Sequence, residues 1–368
     1  MPFSIPQFDL KRQYATLESE ILEQIKQFLP KQSLILGPAV EALENHLKDY
    51  LQTKEAITIS SGTDALLVAL MALEVGPGDE IIVPAFTFYA TASVVARLGA
   101  KPVFVDILPD TFNIDPTAVQ SAITTKTKAI MPVHLFGQSC DLDALLAISE
   151  KHQLPLIEDT AQAFGSRWNN QPLGTFGTFG AYSFYPTKNL GAFGEGGLIT
   201  TQSEKLAHIV RALRVHGSEK RYVHFLLGGN FRLAALQALV LDIKLKYVDQ
   251  WIEKRRKNAQ YYLDHLKNVG DLVLPLTHPK AFHSYNQFVI RTQRRDDLQT
   301  HLQQQGIGTD IYYPSPLPLQ PSFADLNHAV GDFPQADRAA KEVLALPIFP
   351  ELKEEELASI VTTIQKFY

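Results

Sequence analysis

Between residues 56 and 157 the chain alternates short apolar runs with helical ones, and few folds accept that order. Ala56-Ile57-Thr58-Ile59, Glu80-Ile81-Ile82-Val83, Pro102-Val103-Phe104-Val105, 128–133 and 154–157 read as strands. Between them 64–73, 90–98, 116–123 and 142–152 read as helices. Strands this continuously apolar are buried on both faces, so the pattern predicts a mostly parallel sheet covered by helices on each side. Ahead of it, Leu17, Ile21, Leu22, Ile25 and Phe28 recur at helical spacing. Pro30 ends that helix, and a second starts at Pro38 after Gly37. Past residue 233 the pattern changes to long helices, 233–252 and 253–266. Shorter strands such as Phe288-Val289-Ile290 follow, with helices at 295–305 and 354–367. The expected organisation is an N-terminal helical segment over 1–30, a large α/β domain over 31–245 and a smaller C-terminal α+β domain over 246–368.

Composition excludes several classes. A chain of 368 residues buries a core without staples. Its 34 basic and 39 acidic residues leave a net charge of −5, which gives no nucleic-acid footprint. Cys140 is the only cysteine, so no internal disulfide forms, and a reducing cytoplasm is expected. It is read as a small buried residue. Residues 1–13 lack the apolar core of a signal peptide. No apolar run reaches the roughly 20 residues of a membrane span; the stretch 81–96 is interrupted by Pro84.

The chemistry concentrates in 156–201, LIEDTAQAFGSRWNNQPLGTFGTFGAYSFYPTKNLGAFGEGGLITT. One apolar run delivers Glu158 and Asp159 to a polar turn. A second, Ala181-Tyr182-Ser183-Phe184, delivers Ser183 and Lys188. This set matches the needs of pyridoxal 5′-phosphate (PLP). Asp159 pairs with the pyridine nitrogen, Lys188 holds the aldehyde as a Schiff base, and Ser183 bonds the phosphate. The plainer readings are a solvated lysine and an aspartate capping a helix that begins at Thr160. Thr58-Ile59-Ser60-Ser61-Gly62-Thr63-Asp64 is a strand, a turn and a helix start, which serves equally as a phosphate cradle or an ordinary helix cap. Tyr313-Pro314-Ser315-Pro316-Leu317-Pro318 is a rigid loop of the kind that borders a cleft.

EDTAQAFGS, YSFYPTKNLGAFGEGG and GGNFRLAALQALVL resemble the DegT/DnrJ/EryC1/StrS family of nucleotide-sugar aminotransferases. The similarity runs from Ile5-Pro6 to the segment 345–350. It implies the α/β fold of PLP-dependent, aspartate-aminotransferase-like (type I) enzymes, with pyridoxamine 5′-phosphate as the alternate cofactor form and no metal. By the resemblance, Gly62 and Thr63 hold the cofactor phosphate, Phe88 stacks on the pyridine, and Gln162 bonds its phenolic oxygen. Asn230 matches an asparagine that reaches the neighbouring subunit's phosphate, which implies a homodimer with a shared site. The implied partners are L-glutamate, 2-oxoglutarate and a nucleotide-diphosphate keto-sugar. A histidine in place of Lys188 would mark related sugar dehydratases; the lysine favours transamination.

The stretch 215–224, VHGSEKRYVH, with Arg232-Leu233 and Lys244-Leu245-Lys246-Tyr247, resembles the C3-aminating members more than the C4-aminating ones. The expected acceptor is therefore a dTDP-linked 3-keto-6-deoxyhexose. The alternative is a 4-keto sugar on UDP, GDP or dTDP. His216, Tyr222, His224, Arg232 and Tyr313 are candidate substrate contacts. The first three serve equally as loop residues, and Arg232 equally as partner to a structural carboxylate. Two positions depart from the family pattern: Pro318 replaces a common histidine, and Ala234 replaces a usual acidic residue. A regulatory protein without turnover, or a PLP enzyme of small amino acids that grips the substrate carboxylate with arginine, are the readings from other classes.

Overall fold

In the computed structural model, which describes residues 4–368, a three-stranded and a four-stranded sheet join through isolated bridges into one mixed central sheet. Lys101–Val105, Glu80–Pro84 and Thr127–Ile130 run parallel. Bridges Ile130–Leu156 and Val133–Asp159 carry the sheet on to Ile157–Asp159. That strand pairs in parallel with Phe179–Ser183, which is followed by antiparallel Gly197–Thr201 and finally Glu55–Ile59. The expected parallel sheet therefore holds with a single reversed strand, Gly197–Thr201. The first three residues of the signal-peptide reading over 1–13, and of the segment 1–30, lie outside the described residues.

Helices cover both faces. Gly62–Ala72 is apolar nearly all round, and Ala65 to Leu70 are buried, so it is a core helix rather than an amphipathic cover. Ser61 caps it, its hydroxyl accepting from the Asp64 N–H at 3.0 Å. Pro38–Leu51 buries Val40, Leu43, Leu47 and Leu51 on one stripe. Leu10–Phe28 places Leu17 and Ile21 against Val240, Ile243 and Trp251. A second core lies in the C-terminal part, where Phe288–Arg291 pairs antiparallel with Val343–Leu346 under the helices Val248–His265 and Glu354–Phe367. Among the described residues no helix is long and apolar enough to cross a membrane.

Two expected elements differ. The helix over 233–252 is two helices, Ala235–Leu245 and Val248–His265. Its start stays extended because Ala234 pairs with Ile35 and the Ala235 N–H donates to the Leu34 carbonyl. It breaks at Lys246 and Tyr247, where both side chains reach Glu20, at 3.1 and 2.8 Å. The strand over 154–157 shifts forward to Ile157–Asp159, because Leu156 makes only an isolated bridge. Glu158 and Asp159 thus belong to the strand itself, and no helix starts at Thr160.

Candidate functional site

Because successive strand residues point to opposite faces, Glu158 and Asp159 go separate ways. Glu158 is fully buried. Its Oε2 accepts from the Gly174 N–H at 2.7 Å, and its Oε1 from Phe176 and Gly177, both at 2.8 Å. His134 completes the set: its Nδ1 accepts from the Cys140 N–H, so Nε2 carries the hydrogen that faces Glu158 at 3.0 Å. Glu158 therefore pins the turn over 174–177 and does not line the cleft. Glu158→Ala leaves these donors unpaired in the interior and is expected to cost about 3–5 kcal/mol, read as a lower denaturant midpoint. An unchanged midpoint would mean the turn holds without it.

Asp159 faces a cleft of about 600 Å³. Its backbone is fixed against the neighbouring segment, its N–H donating to the Pro132 carbonyl and its carbonyl accepting from the His134 N–H. Oδ1 accepts from the Ala161 N–H at 3.1 Å and Oδ2 from the Thr91 hydroxyl at 2.9 Å. Burial pushes the carboxyl up from the usual range, against these two donors and the nearby charge of Lys188.

Lys188 lines the same cleft, half-buried, on the loop after strand Phe179–Ser183. Desolvation lowers its amine to about 8, although Asp159 pulls the other way. The loop is tied down at several points. The Lys188 N–H donates to Tyr185, Ala192 to Phe184, and the Asn189 amide to Phe164. The buried Lys244 ammonium caps the Gly191 carbonyl. Gly191 is required there, since a Cβ would lie 2.3 Å from the Pro186 carbonyl oxygen.

The turn Ser61-Gly62-Thr63 closes the cleft against Ser183. A Cβ on Gly62 would come within 2.6 Å of the Ser183 Cβ, so only glycine lets turn and strand meet. The first N–H groups of a helix have no acceptor within it, which leaves a cradle for an anion beside the Ser183 hydroxyl. These residues fit PLP: an amine for the aldehyde, a carboxylate for the ring nitrogen, and helix N–H groups with a hydroxyl for the phosphate.

Of the other expected residues, Phe88, Gln162 and Tyr313 line the cleft. Phe88 is exposed on it, its ring 6.2 Å from that of Tyr313. Gln162 lies in the turn that follows the strand ending at Asp159. Its amide donates to the Tyr313 hydroxyl at 2.9 Å and its oxygen accepts from Phe136. Asn230, His216, Tyr222, His224 and Arg232 do not line it. The His216–His224 stretch forms an exposed hairpin, Ser218–Lys220 with Val223–His224, on which Tyr222 is 81% exposed. The His224 ring bonds the His216 carbonyl. Arg232 has no carboxylate within ion-pair distance among the described residues, and its Nε lacks a partner. Pro318 is buried in a single turn away from the cleft, and Ala234 sits at a helix N-cap where no side chain bonds the helix.

Sequence reasoning missed Thr87, Tyr185, Glu195 and Tyr312 on the cleft wall, and Thr91 behind it. Thr87 and Thr91 stand four apart just past a strand, the one signal that pointed to them.

The model of the DegT/DnrJ/EryC1/StrS aminotransferase family matches residues 15–365. A "Pleiotropic regulatory protein" of Geobacillus stearothermophilus is 49% identical over 99% of each chain. A UDP-N-acetyl-3-dehydro-alpha-D-glucosamine 3-aminotransferase of Acidithiobacillus ferrooxidans is 43% identical over 99% of this chain and 98% of that protein. From Streptomyces venezuelae, a dTDP-3-amino-3,4,6-trideoxy-alpha-D-glucose transaminase is 39% identical over 99% of this chain and 96% of its own length. The crystal structure of S. venezuelae DesV in complex with a ketimine intermediate matches with a TM-score of 0.97 at 39% identity, covering 100% of this chain and 99% of that one.

Proposed function

The chain belongs to the DegT/DnrJ/EryC1/StrS aminotransferase family and is a PLP-dependent nucleotide-sugar aminotransferase; from that premise we propose that it moves an amino group from L-glutamate to C3 of a dTDP-linked 3-keto-6-deoxyhexose. The observation that carries the reading is Lys188 and Asp159 in one cleft, with the Gly62–Thr63 turn and Ser183 beside them. When bound there, PLP supplies an electron sink that stabilises negative charge at the amino-bearing carbon. Lys188 would hold the cofactor through its amine. That amine, lowered to about 8, would, once free, move the proton at the donor α-carbon. Asp159 keeps the ring nitrogen protonated. Gly62, Thr63 and Ser183 would hold the phosphate, Phe88 would stack on the ring, and Gln162 would bond the phenolic oxygen. The same steps in reverse aminate the sugar.

Two relatives whose names specify a 3-oxo or 3-amino sugar support amination at C3, one on UDP and one on dTDP. The choice of dTDP is supported by the Streptomyces venezuelae relative, whose name specifies a dTDP sugar. Among the described residues no arginine of the chain lines its own cleft, so an arginine grip on a small amino-acid substrate would have to come from a second copy. The exposed apolar residues just past the hairpin, Phe225 63% and Leu227 93% accessible, support burial against a second copy. Asn230, Arg232 and the hairpin's His216, Tyr222 and His224 then act in the partner's cleft. The large domain over 31–245 would carry the cofactor and the small one over 246–368 would supply Tyr313. The name of the 49% identical relative favours a second reading, a protein that regulates without turnover.

The test is the visible absorbance of the PLP-loaded protein, with L-glutamate and then 3-keto and 4-keto sugars on dTDP and UDP. The expected result is a band that bleaches with glutamate and returns with the dTDP-linked 3-keto sugar. Return with a 4-keto sugar would move the acceptor carbon. A band indifferent to every amine and sugar would favour the regulatory reading.

A further inference from the structure

Thr91 is fully buried in the first turn of helix Ala90–Arg97. A buried hydroxyl is costly unless it is bonded, and this one has a charged acceptor, Asp159 Oδ2 at 2.9 Å. An ionised carboxylate only accepts, so Thr91 must donate its single hydrogen there. Its oxygen is then free to accept from the Thr87 hydroxyl, 3.4 Å away, buried and on the cleft wall. The order is thus fixed as Thr87 to Thr91 to Asp159. The Ala161 N–H holds the other carboxylate oxygen, so the two donors lock the carboxylate's rotation. Each oxygen keeps a further lone pair for an incoming N–H.

We propose that Thr91 is a positioning residue for the cofactor's ring nitrogen, acting through Asp159: its hydroxyl orients the carboxylate and keeps it ionised in a dry site. This rests on Asp159 being the ring nitrogen's partner. The titratable groups that face Asp159 from other elements are Lys188, His134 and Tyr313, and all stay in place when Thr91 changes. Burial raises the Asp159 carboxyl, and the hydroxyl opposes that rise. Without it, Asp159 holds the ring proton less firmly, and the Lys188 linkage to the cofactor titrates at higher pH.

Thr91→Val removes the hydroxyl and keeps the shape; Thr91→Ser keeps the hydroxyl. The measurements are the pH midpoint of the visible band of PLP-loaded protein and the PLP dissociation constant of cofactor-free protein. Thr91→Val is expected to raise the midpoint by about one unit and weaken PLP about tenfold, with Thr91→Ser within about twofold of the parent. If Thr91→Val is not recovered folded, Thr91→Ala is carried through the same titrations with the same expectation. A valine or alanine variant that titrates and binds like the parent overturns the proposal. Asp159→Asn separates the two readings. If it moves the midpoint while Thr91→Val does not, only the role of Thr91 fails; if neither moves it, the role of Asp159 fails as well.

Discussion

Lys188→Ala abolishes transamination while leaving the fold and a weaker PLP site in place. The expected loss is roughly 10⁴-fold or more, because proton transfer by a positioned base contributes ~10²–10⁴-fold and covalent capture of the cofactor goes with it. The measurement is the single-turnover rate with glutamate. Added methylamine is expected to recover part of that rate, since it restores a base but not the tether. A variant within about tenfold of the parent would mean that another group moves the proton. The parent's pH profile checks the same role. Burial has lowered the amine to about 8, so its neutral, basic form grows as pH rises through that value. The rate of proton removal rises on the same limb and flattens above it. Lys244, equally lowered to about 8, caps a carbonyl and does not line the cleft, so it does not explain that limb.

Sequence reasoning reached Asp159 at the end of an apolar run and Lys188 in the loop that follows a second one, and the resemblance to the aminotransferase family chose between the cofactor reading and the plainer ones. Ser183 lay in the second apolar run, Gly62 was chosen only by the resemblance, and their contact explains why the turn needs glycine. Thr91 was not legible, because it meets Asp159 across 68 positions of chain and looks like any threonine in a helix. Tyr313 meets Gln162 across 151 positions; its proline-rich loop marked a rigid segment but not which wall it would complete. Glu158 was legible as a carboxylate and not as a buried hub, since its partners are backbone N–H groups that no side-chain pattern reveals. The hairpin over 216–224 was readable only by resemblance. In a single chain its residues face outward, so their part in any site depends on a second copy.

Asp159→Asn is expected to leave PLP bound and the reaction slow. The phosphate cradle and Lys188 remain, so the visible band still forms. The amide is nearly the same size, and its oxygen can still accept from Thr91 or Ala161. It carries no charge, however, and cannot hold a proton on the ring nitrogen. Removing one partner of a buried charged pair costs about 3–5 kcal/mol, which corresponds to ~10²–10⁴-fold in rate if the pair is needed at the transition state. The loss should fall on the half-reaction with glutamate and on its reverse with the sugar alike, because both pass through the same charge on the amino-bearing carbon. Stopped-flow traces of the two half-reactions separate this from a substrate effect. Equal loss in both is the expected result, and a loss confined to the sugar half-reaction would instead make Asp159 a sugar contact. Asp159→Glu tests geometry at constant charge. The strand end is held on both sides and Thr91 stands 2.9 Å from the carboxylate, so an added methylene has no slack to occupy. Glutamate should therefore recover less than tenfold of what asparagine loses: at this site orientation matters as well as charge.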